Sequence, residues 1–162
     1  MPDKTYGPAI SERDGGNSQV FASGSVLAVD AGVPGPANQL RVRATVAQIN
    51  AGLTLLAALP GYAYRVHDWS MVAVGGAASG STTVDILGTQ AAGSVKLGAA
   101  AVAGLTQSAV LRAGATNAAV LADGASFAAC DVNTAITANK TGGALATSTA
   151  IDISLTYSVE AQ

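Results

Sequence analysis

Ala150-Ile151-Asp152-Ile153-Ser154-Leu155-Thr156-Tyr157-Ser158-Val159 alternates apolar and polar side chains without a fault. Successive side chains of an extended chain point to opposite faces. Ile151, Ile153, Leu155, Tyr157 and Val159 therefore share one face, and Asp152, Ser154, Thr156 and Ser158 the other, which is the pattern of a half-buried strand. Leu40-Arg41-Val42-Arg43-Ala44-Thr45-Val46-Ala47 repeats it, with Leu40, Val42, Ala44 and Val46 opposed to Arg41, Arg43 and Thr45. Leu53–Leu56 is a short strand ended by the Pro60-Gly61 turn. Tyr62–Val74 is the longest extended candidate, closed by Gly75-Gly76; on it His67 is expected to share a face with Arg65, Trp69 and Met71. Thr82–Leu87 is rich in β-branched residues. Ser94–Leu97, Ser108–Leu111, Ala118–Leu121 and Ala135–Ala138 read as weaker strands between Gly, Asn and Asp. Gly98–Leu105 is Ala-rich enough for a helix, but it is short and lacks cap residues, so it reads as strand or loop. Short strands at a spacing of about 8–12 residues predict an all-β fold, an antiparallel β-sandwich or jelly-roll-like domain.

The start of the chain differs. Pro2, Pro8, Pro34 and Pro36 are four of the five prolines, and Gly7, Gly15, Gly16, Gly24, Gly32 and Gly35 accompany them. Proline removes ladder donors and glycine raises the cost of ordering. Residues 1–38 are therefore expected to form an extended N-terminal arm that packs with help from a partner, ahead of a sandwich domain over 39–162. Val20–Phe21 and Ser25–Val29 are the exceptions, expected to pair as short strands with the body or with a neighbouring subunit.

Composition narrows the function. The 162 residues carry 8 Lys plus Arg against 10 Asp plus Glu, a formal charge of -2. Charged residues are 11%, against about 25% in an average soluble domain. No basic excess exists to neutralise phosphates, so nucleic-acid binding is not expected. One His and one Cys cannot build a Cys/His zinc site or an internal disulfide. Cys130 reads as a small buried apolar residue. The opening Met1-Pro2-Asp3-Lys4-Thr5-Tyr6-Gly7 is polar, so no secretory signal is expected. The most apolar windows, Leu53–Leu59 and Ala99–Leu105, fall far short of the roughly 20 residues that span a bilayer, so no membrane partner is expected. Ala supplies roughly a fifth of the chain, and the polar faces are Ala, Ser, Thr and Gly where a monomer would carry Lys and Glu. That uncharged exterior is expected to be covered by other protein.

Chemical motifs are sparse. Gly75-Gly76-Ala77-Ala78-Ser79-Gly80-Ser81-Thr82 has the glycine spacing of a phosphate loop, but Ser81 replaces the essential Lys and no helix is predicted to follow. Any Ser–His or Cys–His pair would have to use His67, and no G-x-S-x-G elbow is present. His67 therefore reads as a structural or interface residue. Asp68, Asp85, Asp123, Asp131 and Asp152 are scattered, which suits turn and sheet-edge roles. No catalytic residue, metal site or cofactor is expected. Arg41 and Arg43, with Arg65 nearby, form the one local basic cluster; they read either as a docking face for acidic groups or as a solvated strand face. The candidate protein-interaction residues are Arg41, Arg43, Arg65, His67, Trp69, Val20 and Phe21.

Several runs carry a resemblance. Leu59–Gly76, Val84–Gln90, Val110–Thr116, Val120–Phe127 and Ile151–Glu160 together look like the small virion structural proteins of tailed bacteriophages, and resemble capsid decoration (cement) proteins over roughly residues 40–160. The resemblance implies β-sandwich subunits that assemble as trimers or dimers on the outer surface of the head and bind the major capsid protein lattice. A homotrimer is favoured, with Arg41, Arg43 and the arm expected at the lattice contact. It implies no catalytic residues. The competing expectation is a head- or tail-fibre module that binds a host glycan, for which Trp69, Tyr62, Tyr64 and Tyr157 are the available Trp and Tyr residues outside the arm.

Overall fold

A computed structural model describes residues 10–13, 18–21, 36–119 and 125–161. The chain is an antiparallel two-sheet β-sandwich. Ahead of it, β1 (Ile10–Arg13) pairs with β2 (Ser18–Phe21), Phe21 opposite Ile10 and Val20 opposite Ser11. Val20 and Phe21 thus find a partner strand within their own hairpin. A pairing across so short a separation costs the least loop entropy. Ser25–Val29 lies outside the described residues.

The four-stranded sheet has the order β3 (Asn38–Thr45), β11 (Ala150–Ala161), β5 (Tyr62–Val74), β8 (Leu111–Arg112). The five-stranded sheet has the order β4 (Leu53–Leu56), β10 (Ile136–Ala146), β6 (Ser79–Gln90), β7 (Gly93–Ala101), β9 (Ala118–Ala119). The core lies between them. Ile151, Ile153, Leu155 and Val159 of β11 face Val84 and Ile86 of β6 and Ile136 and Ala138 of β10 within one buried cluster. Cys130 joins that cluster, and burial pushes its thiol up from the ordinary range.

The strand predicted to run through Ala47 stops at Thr45. A helix, α1 (Val46–Ala51), follows at once. Thr45 Oγ1 accepts from the Gln48 amide at 3.3 Å, and Gln48 Oε1 accepts from the Thr45 amide at 2.9 Å. This reciprocal capping box satisfies amide donors that a strand would have placed on a ladder. Gly52, at φ 86, ends the helix. Ile49 is fully buried, and Asn50 bonds the Leu145 backbone in both directions at 3.0 and 2.8 Å. α1 therefore carries the chain from one sheet to the other and is tied to β10.

Two further departures follow from local backbone geometry. On β5, Thr156 pairs with Asp68 while Tyr157 pairs with Val66, so His67 is an extra residue in a bulge. The bulge reverses the phase of the strand: Tyr64 and Val66 face the core before it, Trp69, Met71 and Ala73 after it. His67 and Arg65 therefore do not share a face with Trp69 and Met71. The β6–β7 hairpin turns on Ala91 and Ala92, both left-handed at φ 50 and 60. Their amides donate to the two carboxylate oxygens of Asp131 at 3.1 and 2.8 Å, which holds residues with a Cβ in a turn that usually takes Asn or Gly. Gly98 of β7 lies directly over the Trp69 indole, where a Cβ would have no room. On the outer face of the five-stranded sheet, Asp85 is 1% exposed, forms an ion pair with Lys96 Nζ at 3.1 Å and accepts from Thr141 Oγ1 at 2.6 Å, while Lys96 Nζ donates to Thr141 Oγ1 at 2.7 Å. Its row continues through Ala99 and Ala119 on one side and Asn139 on the other, and Thr83, Thr141 and Ala101 form the next row.

Candidate functional site

The outer face of the four-stranded sheet is a grid set by register. Arg41 of β3 stands opposite Ser154 of β11, Ser154 opposite Ser70 of β5, and Ser70 opposite Arg112 of β8. One row thus crosses all four strands with a guanidinium at each end and two hydroxyls between. The row on one side is Gln39, Thr156 and Asp68; on the other it is Arg43, Asp152 and Val72. Together with Val110, which is 52% exposed, these residues line a groove of about 650 Å³.

Its charges are not equivalent. Arg43 grips Asp152 with Nε on Oδ1 at 2.7 Å and its terminal nitrogen on Oδ2 at 2.8 Å, a bidentate pair between adjacent strands. That hydrogen bond holds the Asp152 carboxyl below the usual carboxylate range. Asp68 Oδ1 accepts from the Trp69 amide at 2.8 Å. Arg41 and Arg112, by contrast, have no hydrogen bond or ion pair within the described residues. Three guanidiniums against two carboxylates leave the groove at +1 in a chain whose total is -2. The arrangement can bind carboxylates or other planar anions at two separated points, with hydroxyls between them.

The sequence-predicted residues fall in different places. Arg41 is in the groove, its guanidinium without a partner among the described residues. Arg43 is also there, but neutralised by Asp152. Arg65 lies beyond the bulge, where Nε and a terminal nitrogen bond Glu160 at 2.7 and 3.0 Å and the other terminal nitrogen bonds the Phe127 carbonyl at 2.9 Å. It does not join the Arg41 face; its hydrogen bonds hold the Glu160 carboxyl below its usual range. His67 Nε2 lies 3.0 Å from Ser158 Oγ, whose proton goes to Glu160 Oε1 at 3.2 Å. Ser158 is 0% exposed, so this hydroxyl ties β5 to β11 and is not presented to a substrate. Trp69 is 3% exposed and belongs to the core, because the bulge turns it inward; it is not a surface contact. Tyr64 is also buried, and Tyr62 and Tyr157 are half-buried, so none of these four rings is an open platform for a sugar; among the described residues Phe127, 44% exposed, is the exposed aromatic. Of Val20 and Phe21 the backbone pairing with β1 is described.

Arg112 and Val110 are the groove residues that sequence reading missed. Val110-Leu111-Arg112 straddles the end of a predicted strand, and nothing local connects it with Arg41. Among the described residues no group of three His, Cys, Asp or Glu side chains could hold a metal ion, and no helix is long and apolar enough to cross a membrane. Comparison with protein-family models, with curated proteins and with solved structures gave no match.

Proposed function

We propose that the chain is a decoration (cement) subunit of a tailed-phage head, which docks the groove of its four-stranded sheet on acidic groups of the major capsid protein lattice and stabilises the shell. The observation that carries this reading is the pair of guanidiniums, Arg41 and Arg112, without partners among the described residues, at the two ends of one row on a sheet face of net charge +1. A free, exposed arginine is a docking element because its planar fork matches a carboxylate and loses little order on binding. The resemblance of residues 40–160 to decoration proteins supports the choice of partner.

The mechanism is mass action. A subunit that binds the assembled lattice and not its separate parts stabilises the assembly by the free energy of binding, and repetition over the shell multiplies a weak contact. Self-association, as a homotrimer in preference to a dimer, would use the outer face of the five-stranded sheet. Ala101, Ala119 and Thr83, partly or wholly exposed there, are small uncharged side chains of the kind that let two surfaces pack closely. Light scattering of the purified full chain reads its native mass directly.

The test of the role mixes purified protein with heads that lack it. Saturable binding, a gain in resistance to heat or chelator, and loss of both in the Arg41→Ala/Arg112→Ala variant are the expected results. A protein that ignores such heads refutes the proposal.

A further inference from the structure

The row that joins Arg41 to Arg112 has a length, and length selects a ligand. Its two ends are three strand steps apart, and strands lie about 4.8 Å from one another, so the guanidiniums are carried on backbones about 14 Å apart. An extended chain rises about 3.3 Å per residue, so side chains four residues apart on one face of a strand are separated by about 13 Å. The two spacings agree. A residue and the fourth after it also point the same way in an extended chain, because its side-chain period is two.

Width selects the conformation. The rows on either side stand two residues along each strand, so they lie about 13 Å apart across the groove. Their own side chains, Gln39, Thr156 and Asp68 against Arg43, Asp152 and Val72, take up part of that gap. A helix about 10–12 Å in diameter does not seat between them, whereas a single extended chain does. Between the arginines, the hydroxyls of Ser154 and Ser70 have no hydrogen-bond partner among the described residues, and they can donate to or accept from a passing backbone. Val110 and Val72 offer apolar contact on one flank. Arg41 and Arg112 set the sign: against Asp68 and the self-neutralised Arg43–Asp152 pair they leave the groove at +1, and a carboxylate is drawn to the two ends of the row.

We infer that the groove takes an extended acidic segment of the partner protein, laid across the strands, with Asp or Glu at two positions four residues apart. This rests on the reading of the groove as a docking face and specifies what docks there.

Peptides test it with the full chain. The probe is a fluorescently labelled Thr-Glu-Thr-Val-Thr-Glu-Thr, titrated at low salt and followed by anisotropy; the comparison peptides carry the two Glu residues side by side, or Gln in place of both. The first peptide is expected to bind, the second about tenfold more weakly and the third weakest. Arg41→Ala and Arg112→Ala are each expected to weaken the first peptide about tenfold and to leave the circular dichroism unchanged, since neither side chain has a partner among the described residues. The Arg41→Glu/Arg112→Glu variant is expected to lose that peptide and gain the one with Lys in place of both Glu residues. Equal binding of both Glu spacings overturns the inference, as does binding of a uronic-acid oligosaccharide in place of all three peptides. Head binding separates this outcome from the broader reading. Heads that bind the parent but not the Arg41→Ala/Arg112→Ala variant, while no peptide binds, leave the docking face standing and remove the extended segment. Peptides that bind as expected while heads do not leave the segment and remove the capsid.

Discussion

Replacing Gly98 with Ala tests the packing of the sandwich at its tightest point. A Cβ on Gly98 would lie 2.5 Å from Trp69 Cε2, 2.8 Å from Cδ1 and closer still to Nε1. Ordinary contact begins at 3.4 Å, so either the ring or β7 must yield by about 0.9 Å or more. The ring has nowhere to go: it is 3% exposed and enclosed by both sheets. Overpacking of this kind costs about 1–3 kcal/mol, while removing a glycine from a strand returns about 0.5–1 kcal/mol. The hard collision sets the balance, and the expected net loss is about 2 kcal/mol. Urea unfolding followed by the fluorescence of Trp69, the sole Trp of the chain, measures it. The midpoint should fall by about 1 M at unchanged slope. Gly93→Ala is the control, because its nearest neighbour is the Gln90 carbonyl at 3.6 Å, and it should be close to neutral. In a Trp69→Phe background, read by circular dichroism, the Gly98→Ala cost should shrink, since the atoms it meets are gone. A Gly98→Ala protein as stable as the parent refutes the reasoning.

Three other outcomes are expected. Asp131→Ala removes two charge-assisted hydrogen bonds from the amides of the left-handed pair Ala91–Ala92, and should cost about 2–3 kcal/mol by urea unfolding; Ala92→Gly in that background should recover part of it. Thr45→Ala breaks the capping box of α1 and should cost about 1 kcal/mol, whereas Thr45→Ser should retain most of the stability. Asp152 and Glu160 titrate below their usual range in the folded state, held there by Arg43 and Arg65. A carboxyl depressed on folding contributes stability that is present above its unfolded pKa and lost as pH falls through the folded one. Melting temperature should therefore decline below about pH 4, and the decline should be shallower in Arg65→Ala.

Periodicity made the architecture readable and register made the groove unreadable. The run 150–159 and the limits of Tyr62–Val74 are plain in the sequence because the core-facing positions of each are apolar and most of the positions between them are only partly buried or exposed. The bulge at His67 also left a trace: apolar residues occupy even positions at Tyr62, Tyr64 and Val66 and odd ones at Trp69, Met71 and Ala73. Reading the strand as one unbroken alternation put Trp69 on the surface. The Thr45–Gln48 capping box was likewise present, but the strand pattern before it carried the reading two residues too far. The β6–β7 hairpin had no signature, since Ala91 and Ala92 are held by a carboxylate some 40 residues away. Arg41 was visible as a candidate, whereas its opposite number was not. Arg112 reaches the same row through β8, a two-residue strand whose place is set entirely by tertiary pairing. The neutralisation of Arg43 was hidden for the same reason, its partner lying 109 residues further on.

A crossbar over parallel threads does something that no thread can do for itself. β8 is held to β5 by two residue pairs, and β3 is the opposite margin of the sheet among the described residues. These two strands are the margins of the sheet, each paired on one side to a single described neighbour. Whatever bridges Arg41 and Arg112 fastens both margins through a single span, so that tension arriving along β3 is distributed to β11, β5 and β8 together. Occupancy of the row would then register as resistance to force, even where it changed the resting shape of the sheet very little.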